Sequence, residues 1–138
     1  MAQLNAYRRF NGKCREAMTF YQACLGGELT IQTVGESPMA GQMPPAMKDN
    51  VLHSVLARDG FVLMASDMTG PEGVVNGNSI TLCIIGSSKA EIEPIFAKLS
   101  AGGTVSTPLI EEYFGTFGDI IDKFGIGWFF QADGNANA

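Results

Sequence analysis

The amino-acid sequence predicts an α+β fold made of two βαβββ modules, each with a four-stranded sheet that curls around a cavity. The chain has 138 residues, which is the size of one domain with a buried core. Residues 51–67 form two apolar runs separated by Asp59 and Gly60, the strongest short signal of a β-hairpin. A helix pattern, a Gly-Gly pair, a strand pattern and a hairpin pattern occur in each half, so the chain contains an internal repeat.

The first half begins with a predicted strand at residues 4–10. Asn11 is positioned to cap a helix that ends at a Gly-Gly pair. Residues 28–34 alternate and are rich in β-branched side chains, which indicates a second strand. Residues 35–50 are rich in Gly, Pro and Met, and are either a mobile loop or a lid. The helix carries its apolar residues on one face, at Cys14, Ala17, Met18, Tyr21, Cys24 and Leu25.

The hairpin of residues 51–67 is the centre of the prediction because it contains the only histidine, His53. A two-residue turn sets which residues lie opposite each other, and paired residues share a face of the sheet. The face that carries His53 is either core or the wall of a pocket. The expected pairs are Arg58 with Phe61, Ala57 with Val62, Val55 with Met64 and His53 with Ser66.

The second half begins with a predicted strand at residues 79–85. Ser88 and Glu91 form a capping box at the start of a helix. Pro94 lies inside the helical pattern, where proline costs about 3 kcal/mol, so the helix either begins near Glu93 or is kinked. Gly102 and Gly103 end this helix, and strands are predicted at residues 104–110, 113–121 and 126–132.

Composition limits the function and the compartment. A formal net charge of −5 argues against a nucleic-acid partner, since phosphate backbones are bound by clustered Lys and Arg. No segment resembles a signal peptide or reaches the ~20 apolar residues of a membrane span, so a cytoplasmic protein without a membrane partner is expected. The spacing of Cys14, Cys24 and Cys83 suits neither a bridge nor a metal site, which predicts reduced thiols.

Three other features have structural interpretations. Asp67 follows Ser66 and is interpreted as a strand-end or turn residue. Trp128 is interpreted as core, because most large aromatic side chains are buried. Glu111 and Glu112 precede two aromatic residues and are either guards of a pocket mouth or part of a solvated loop.

Nearly the whole chain resembles one family. The segments that carry the resemblance are FNGKCREAMTFYQACLGGELT (10–30), GESPM (35–39), LHSVL (52–56), FVLMASDM (61–68), IFAKLSAGGTVSTPL (95–109) and DKFGIGW (122–128). On these segments the chain resembles the PhnB-like branch of the vicinal oxygen chelate superfamily, which includes glyoxalases, bleomycin resistance proteins and extradiol dioxygenases. The resemblance implies paired βαβββ modules that form an incomplete, barrel-like curved sheet, and a homodimer. One domain over residues 1–138 is expected, with modules 1–69 and 79–133 joined by a linker at residues 70–78.

Metal-dependent members of this superfamily place one His, Glu or Gln on the first and the last strand of each module. The nearest equivalents here are Ala6, Met64, Ser79 and Phe129, and none of them binds a divalent ion such as Zn, Fe or Mn well. The usual metal site is therefore expected to be absent, and no cofactor is expected. The branch has also carried a ubiquinone-pathway methyltransferase label. The sequence offers it no support, since it has no Gly-rich strand-to-helix loop to cradle a nucleotide-like cofactor.

Two functions remain open. One is a protein that binds a small, partly apolar molecule in its cavity. The other is a lyase, isomerase or dioxygenase type of enzyme that uses a relocated metal, or His53 as a base, on a carbonyl or aromatic substrate. In the first case His53 lines the pocket, whereas its structural alternative is a core histidine bonded to Ser66 or to backbone. The candidate ligand contacts are Arg8, His53, Val55, Met64, Ser66, Thr81 and Phe129.

Overall fold

The computed structural model describes residues 2–133 and divides them into two compact units. Unit 1 ends at Val75 and unit 2 begins at Asn76. The division falls inside residues 70–78, the segment predicted as a linker. Each unit contains one helix and one four-stranded sheet, which confirms the predicted α+β class and the βαβββ order.

Unit 1 has the strand order β1-β4-β3-β2, with β1 parallel to β4 and the other neighbours antiparallel. Asp59 and Gly60 form the predicted turn of the hairpin, and Gly60 has a φ of 100°, which favours glycine. Its elements are β1 (Ala6–Arg9), α1 (Cys14–Leu25), β2 (Glu28–Thr33), β3 (Val51–Arg58) and β4 (Phe61–Ser66).

Unit 2 repeats this arrangement with the order β5-β8-β7-β6, in which β5 is parallel to β8. Its elements are β5 (Leu82–Gly86), α2 (Lys89–Ser100), β6 (Thr104–Glu112), β7 (Gly115–Ile121) and β8 (Gly127–Asp133).

Some predicted boundaries are wrong. The first strand of each unit begins later than expected, and Leu4 and Ile80 lie outside the strands with 98% and 83% of their surface exposed. The alternation of apolar and polar residues does not show where a strand loses its neighbouring strand, and among residues 2–133 Leu4 and Ile80 have no strand residue opposite them. Tyr113 and Phe114 were predicted to open a strand, but they form the turn between β6 and β7.

The start of α1 is held by Asp67 rather than by Asn11. The helix begins at Cys14, and its N-cap residue Lys13 makes no capping bond with its side chain. One carboxylate oxygen of Asp67 accepts hydrogen bonds from the backbone N–H groups of Gly12 (2.9 Å) and Cys14 (3.0 Å). The other accepts from the N–H of Val51 at 2.9 Å. Asp67 is therefore a strand-end residue, as predicted, and it also joins the helix start to β3.

The core of unit 1 lies between α1 and one face of its sheet. The helix buries the side chains that the sequence pattern predicts, including Cys14 and Met18. On the sheet, Ser54 and Leu56 of β3 and Ala65 of β4 are fully or almost fully buried. The Cys14 Sγ lies 3.4 Å from the Ser54 hydroxyl, so the helix packs directly on this face. We call it the helix face of the sheet, and the opposite side the open face.

The start of α2 confirms the predicted cap. The Ser88 hydroxyl accepts a hydrogen bond from the N–H of Glu91 at 3.2 Å. The helix runs from Lys89 to Ser100 with Pro94 inside it, so the alternative of a start near Glu93 is wrong. The core between α2 and its sheet contains Ile92 and Leu99 of the helix and Ile120, Trp128 and Phe130 of the strands.

The turn between β7 and β8 is organised by a second buried carboxylate, Asp122. One oxygen accepts from the backbone N–H groups of Phe124 (2.8 Å) and Ile126 (3.1 Å). The other accepts from the indole N–H of Trp128 at 2.8 Å. Trp128 is 3% exposed, which confirms its interpretation as core.

Residues 35–50 contain two short 3-10 turns, at Ala40–Gln42 and Pro45–Met47. The two ends of this segment are joined by backbone hydrogen bonds. The N–H of Val34 donates to the Asn50 carbonyl (2.9 Å), and the N–H of Gly35 donates to the Lys48 carbonyl (2.8 Å). The segment therefore closes on itself at the ends of β2 and β3. Among residues 2–133, no helix is long and apolar enough to cross a membrane.

All three cysteines are free thiols, as predicted. Cys14 and Cys24 are buried in α1, whereas Cys83 on β5 is exposed. Burial is the main cause that raises the pKa of Cys14 to about 11, and burial also raises the pKa of Cys83.

We expect Asp67→Ala to destabilise the fold strongly. It leaves three backbone N–H groups near the core without their acceptor, and the free energy of unfolding should fall by roughly 3 kcal/mol. Urea unfolding followed by circular dichroism measures this change. Asp49→Ala removes an exposed carboxylate and should change stability by less than about 0.5 kcal/mol. Equal midpoints for the two variants would contradict the role of Asp67.

We also expect one thiol to react in the native protein. With a disulfide reagent at pH 8, Cys83 should react while Cys14 and Cys24 remain protected, and all three should react after denaturation. Raising the pH toward 10 should accelerate the reaction of Cys83 alone, because the pKa of Cys14 is about 11 and its thiol stays protonated. Cys83→Ser should abolish the native reaction. A second reactive thiol in the native state would contradict the burial of α1.

Candidate functional site

The open face of each sheet is a candidate site. Side chains alternate between the two faces of a strand, and paired residues share a face. In unit 1 one row on the open face contains Tyr7, Met64, Val55 and Thr30, across β1, β4, β3 and β2. In unit 2 the corresponding row contains Cys83, Phe129, Asp119 and Thr107, across β5, β8, β7 and β6.

The structure brings together three predicted ligand contacts of unit 1, namely His53, Val55 and Met64. Val55 pairs with Met64, and His53 lies two residues along β3 on the same face, opposite Gln32 of β2. The imidazole is partly exposed, and its ring centroid lies 6.1 Å from that of Tyr7. Within residues 2–133 it makes no hydrogen bond. His53 therefore lines the open face and is not the hydrogen-bonded core histidine of the alternative.

Ser66 is fully buried, and its hydroxyl makes hydrogen bonds to the backbone. Its hydroxyl donates to the Leu52 carbonyl at 2.7 Å and accepts from the N–H of Met68 at 2.9 Å. The β3–β4 ladder matches the predicted register from Arg58 to Val55 and ends at the pair Ser54–Ala65. The predicted pair of His53 with Ser66 is not part of it, because the next bond, from the Asp67 N–H to the Val51 carbonyl at 2.8 Å, is one residue out of that register.

Arg8 is separated from His53 by the sheet. It pairs with Ala65, which is fully buried on the helix face, and its guanidinium carbon lies 4.7 Å from the centroid of the Phe10 ring. Arg9 is the arginine on the open face, where its guanidinium carbon lies 5.5 Å from the Tyr7 ring. Alternation places neighbouring residues such as Arg8 and Arg9 on opposite faces of a strand, but only the register of β1 assigns each to a face.

Of the two contacts predicted in unit 2, Phe129 lies in the open-face row. Thr81 is exposed and precedes β5. Its methyl group occupies the space beside Gly127, where an added Cβ would come within 2.5 Å. Thr81 therefore lies at the start of β8 and outside the row.

Aromatic side chains extend from this row to the tip of the β6–β7 hairpin. The ring of Phe129 stacks with Phe117 at 6.4 Å, and Phe117 stacks with Phe114 at 5.7 Å. Tyr113 meets Phe114 edge to face at 5.2 Å and is 96% exposed. We call these four residues the aromatic ladder. The sequence did not predict this ladder, because the pattern around Tyr113 and Phe114 predicted a strand there.

Asp119 lies within the open-face row and was also missed. It pairs with Phe129 on β8 and with Thr107 on β6, and Phe117 is two residues away on the same face. One carboxylate oxygen, Oδ1, is shielded from solvent and has no hydrogen-bond partner among residues 2–133. The available signal was the alternation of Phe117, Asp119 and Ile121, which puts a charge among apolar residues of one face.

Two of the residues at the expected metal-ligand positions, Ala6 and Ser79, lie outside the open-face rows. Ser79 precedes β5, and the register places Cys83 opposite Phe129 instead. Ala6 pairs with Leu63 on the helix face, so Tyr7 is the open-face neighbour of Met64. None of these side chains offers imidazole or carboxylate. Within residues 2–133, no group of three His, Cys, Asp or Glu residues is arranged to hold an ion.

Comparisons with known proteins agree with this fold. A family model described as 3-demethylubiquinone-9 3-methyltransferase matches residues 4–131. Protein YjdN of Escherichia coli (strain K12) is 30% identical over 135 residues, which cover 91% of each chain. The crystal structure of protein PA1353 from Pseudomonas aeruginosa is 34% identical with a TM-score of 0.83, over 96% of this chain and 98% of that one.

Two more distant structures support the fold alone. A putative 3-demethylubiquinone-9 3-methyltransferase, PhnB protein, from Bacillus cereus is 24% identical with a TM-score of 0.76, over 95% of this chain and 99% of that one. A glyoxalase-related enzyme from Fulvimarina pelagi is 18% identical with a TM-score of 0.60, over 96% and 89%. With the matched family model and these relatives, the chain belongs to the PhnB-like family of proteins with the glyoxalase/bleomycin resistance/dioxygenase fold.

Proposed function

We propose that this protein binds a small, partly apolar molecule on the open faces of its sheets. The observation that carries the proposal is the apolar character of these faces. An antiparallel sheet usually turns polar side chains toward water on the face that does not pack on the core. Here the open faces instead expose part of Val55, Met64, Phe117 and Phe129, and Ile85 is 69% exposed.

Polar groups lie among these apolar side chains on each open face. Unit 1 presents Arg9, Thr30, Gln32 and His53, and unit 2 presents Thr107, Asp119 and Gln131. Small-molecule sites usually combine apolar surface with placed polar groups. The apolar groups would supply the affinity and the polar groups the orientation of the ligand.

The enzyme alternative has less support. One neutral imidazole leaves the remaining positions of a divalent ion to water, which gives at best a weak, exchangeable site. On the open face of unit 1, the carboxylate of Glu28 belongs to a residue that pairs with Ala57, four residues along β3 from His53. The connections that open α1 and α2 contain one glycine, Gly12, so no Gly-rich cradle favours methyl transfer.

A bound molecule should survive gentle purification. We expect native mass spectrometry of protein from ammonium acetate to show a mass above that of the chain, and the excess should be released by organic solvent. Val55→Thr replaces one methyl group of the open face with a hydroxyl at nearly constant volume, and it should reduce the retained fraction several-fold. Val105→Thr makes the same change at an exposed position of β6 and should leave retention unchanged.

Two negative results together would contradict the proposed function. The wild type would retain no molecule, and no compound in a library of small aromatic and aliphatic compounds would raise its melting temperature. Equal loss in the two threonine variants would move the site away from the open face of unit 1.

We expect no divalent metal at the superfamily position. The residues nearest to the superfamily ligand positions, Ala6, Met64, Ser79 and Phe129, offer a divalent ion neither imidazole nor carboxylate to replace its hydration. Protein purified without chelators should therefore contain far less than stoichiometric Fe, Zn, Ni or Mn by elemental analysis. A near-stoichiometric metal that is lost in His53→Ala would favour the enzyme alternative.

A homodimer in solution is our third expectation. Each sheet ends in edge strands, β1 and β2 in unit 1 and β5 and β6 in unit 2, and natural proteins cover or pair such edges. Light scattering at micromolar concentration should give twice the mass of one chain. A monomer mass under those conditions would contradict this expectation.

A further inference from the structure

The open face of unit 2 combines stacked aromatic rings with a carboxylate oxygen that lacks a partner. Asp119 lies directly opposite Phe129, and Phe117 is its nearest open-face neighbour on the same strand. We propose that this face binds an organic cation, a protonated or quaternary amine that carries an aromatic or other apolar group. This proposal rests on the proposed function and specifies the class of ligand.

The first argument is the state of the Asp119 carboxylate. Oδ1 is shielded from solvent and receives no hydrogen bond from residues 2–133. A shielded, unpaired oxygen of a charged group lowers stability, so native proteins rarely retain one without a reason. A ligand that places positive charge near the Asp119 carboxylate would offset this cost. A neutral apolar ligand would leave it in place, and an anion would be repelled.

The second argument is the aromatic ladder. Phe129, Phe117 and Phe114 stack in series with interplanar angles of 28° and 25°. The face of a phenyl ring carries negative electrostatic potential, which attracts ammonium groups, and its area also suits a flat apolar group. The rings and the carboxylate therefore favour one kind of molecule, with a cationic end at Asp119 and an apolar part along the ladder.

The third argument is the charge around the ladder. Glu111 and Glu112 immediately precede Tyr113 at the hairpin tip, and the whole chain carries a formal net charge of −5. Negative potential raises the local concentration of cations near the surface. Lys89 pairs with Glu111 at 3.5 Å, so Glu112 is the better matched control for charge alone.

Cys83 provides a local readout, since it pairs with Phe129 in the open-face row and is exposed. The rate of its alkylation by iodoacetamide, a neutral reagent, is measured by intact mass. The probes are phenyltrimethylammonium, benzyl alcohol and benzenesulfonate, which are cationic, neutral and anionic. The buried Cys14 and Cys24 serve as internal controls for unfolding.

We expect phenyltrimethylammonium to slow alkylation of Cys83, and benzenesulfonate to have no effect. In Asp119→Asn the concentration that gives half protection should rise by about tenfold, and in Glu112→Gln by less than about twofold. Asp119→Asn should melt at the same temperature as the wild type or higher, because it removes an unpaired charge. A lower melting temperature would assign Asp119 a structural role and overturn the proposal.

Other outcomes separate this proposal from the function on which it rests. If benzyl alcohol protects Cys83 as well as the cation does, and Asp119→Asn changes neither, the cation assignment fails while small-molecule binding stands. If no probe protects Cys83 but native mass spectrometry finds a retained molecule, the assignment of a cation to this face fails alone. If neither experiment detects binding, both proposals fail.

Discussion

The carboxylate of Asp67 is the constraint on which the organisation of unit 1 depends. Its two oxygens fix the first turn of α1 and the beginning of β3, at the place where β4 ends. With the helix docked in this way, Ser54 and Leu56 must face it. Since strands alternate with a period of two, Val55 and Met64 are then left on the other side. The open face is thus a consequence of how the helix start is held.

The sequence predicted what depends on local chemistry. The register from Arg58 to Val55 was correct because a two-residue turn sets it, and the Ser88 cap was correct because its partner is three residues away. Val55, Met64 and His53 lie on one open face, and their role as ligand contacts stays a prediction. What the sequence did not predict depends on distant residues: the face on which Arg8 lies is set by its pairing with Ala65. Asp119 was missed since its partners come from β6 and β8.

The two repeats keep one architecture and carry different chemistry. Both open faces present apolar groups in the row that crosses the sheet. The open face of unit 1 also carries a guanidinium and an imidazole, at Arg9 and His53, whereas that of unit 2 carries the carboxylate of Asp119 and a series of phenyl rings. Residues on an open face are free of core packing, so they can diverge while the helix face is retained.

The parallel pairing of β1 with β4 also sets the order of assembly. Asp67 accepts a hydrogen bond from the backbone N–H of Gly12, which lies 55 residues earlier in the chain. Contacts of such separation form late, because the intervening chain must first be ordered. During synthesis, β1 and the start of α1 therefore emerge long before their partners exist. Until the β3–β4 hairpin has left the ribosome, this amino-terminal segment has no sheet to join and is exposed to chaperones and to mispairing with other chains.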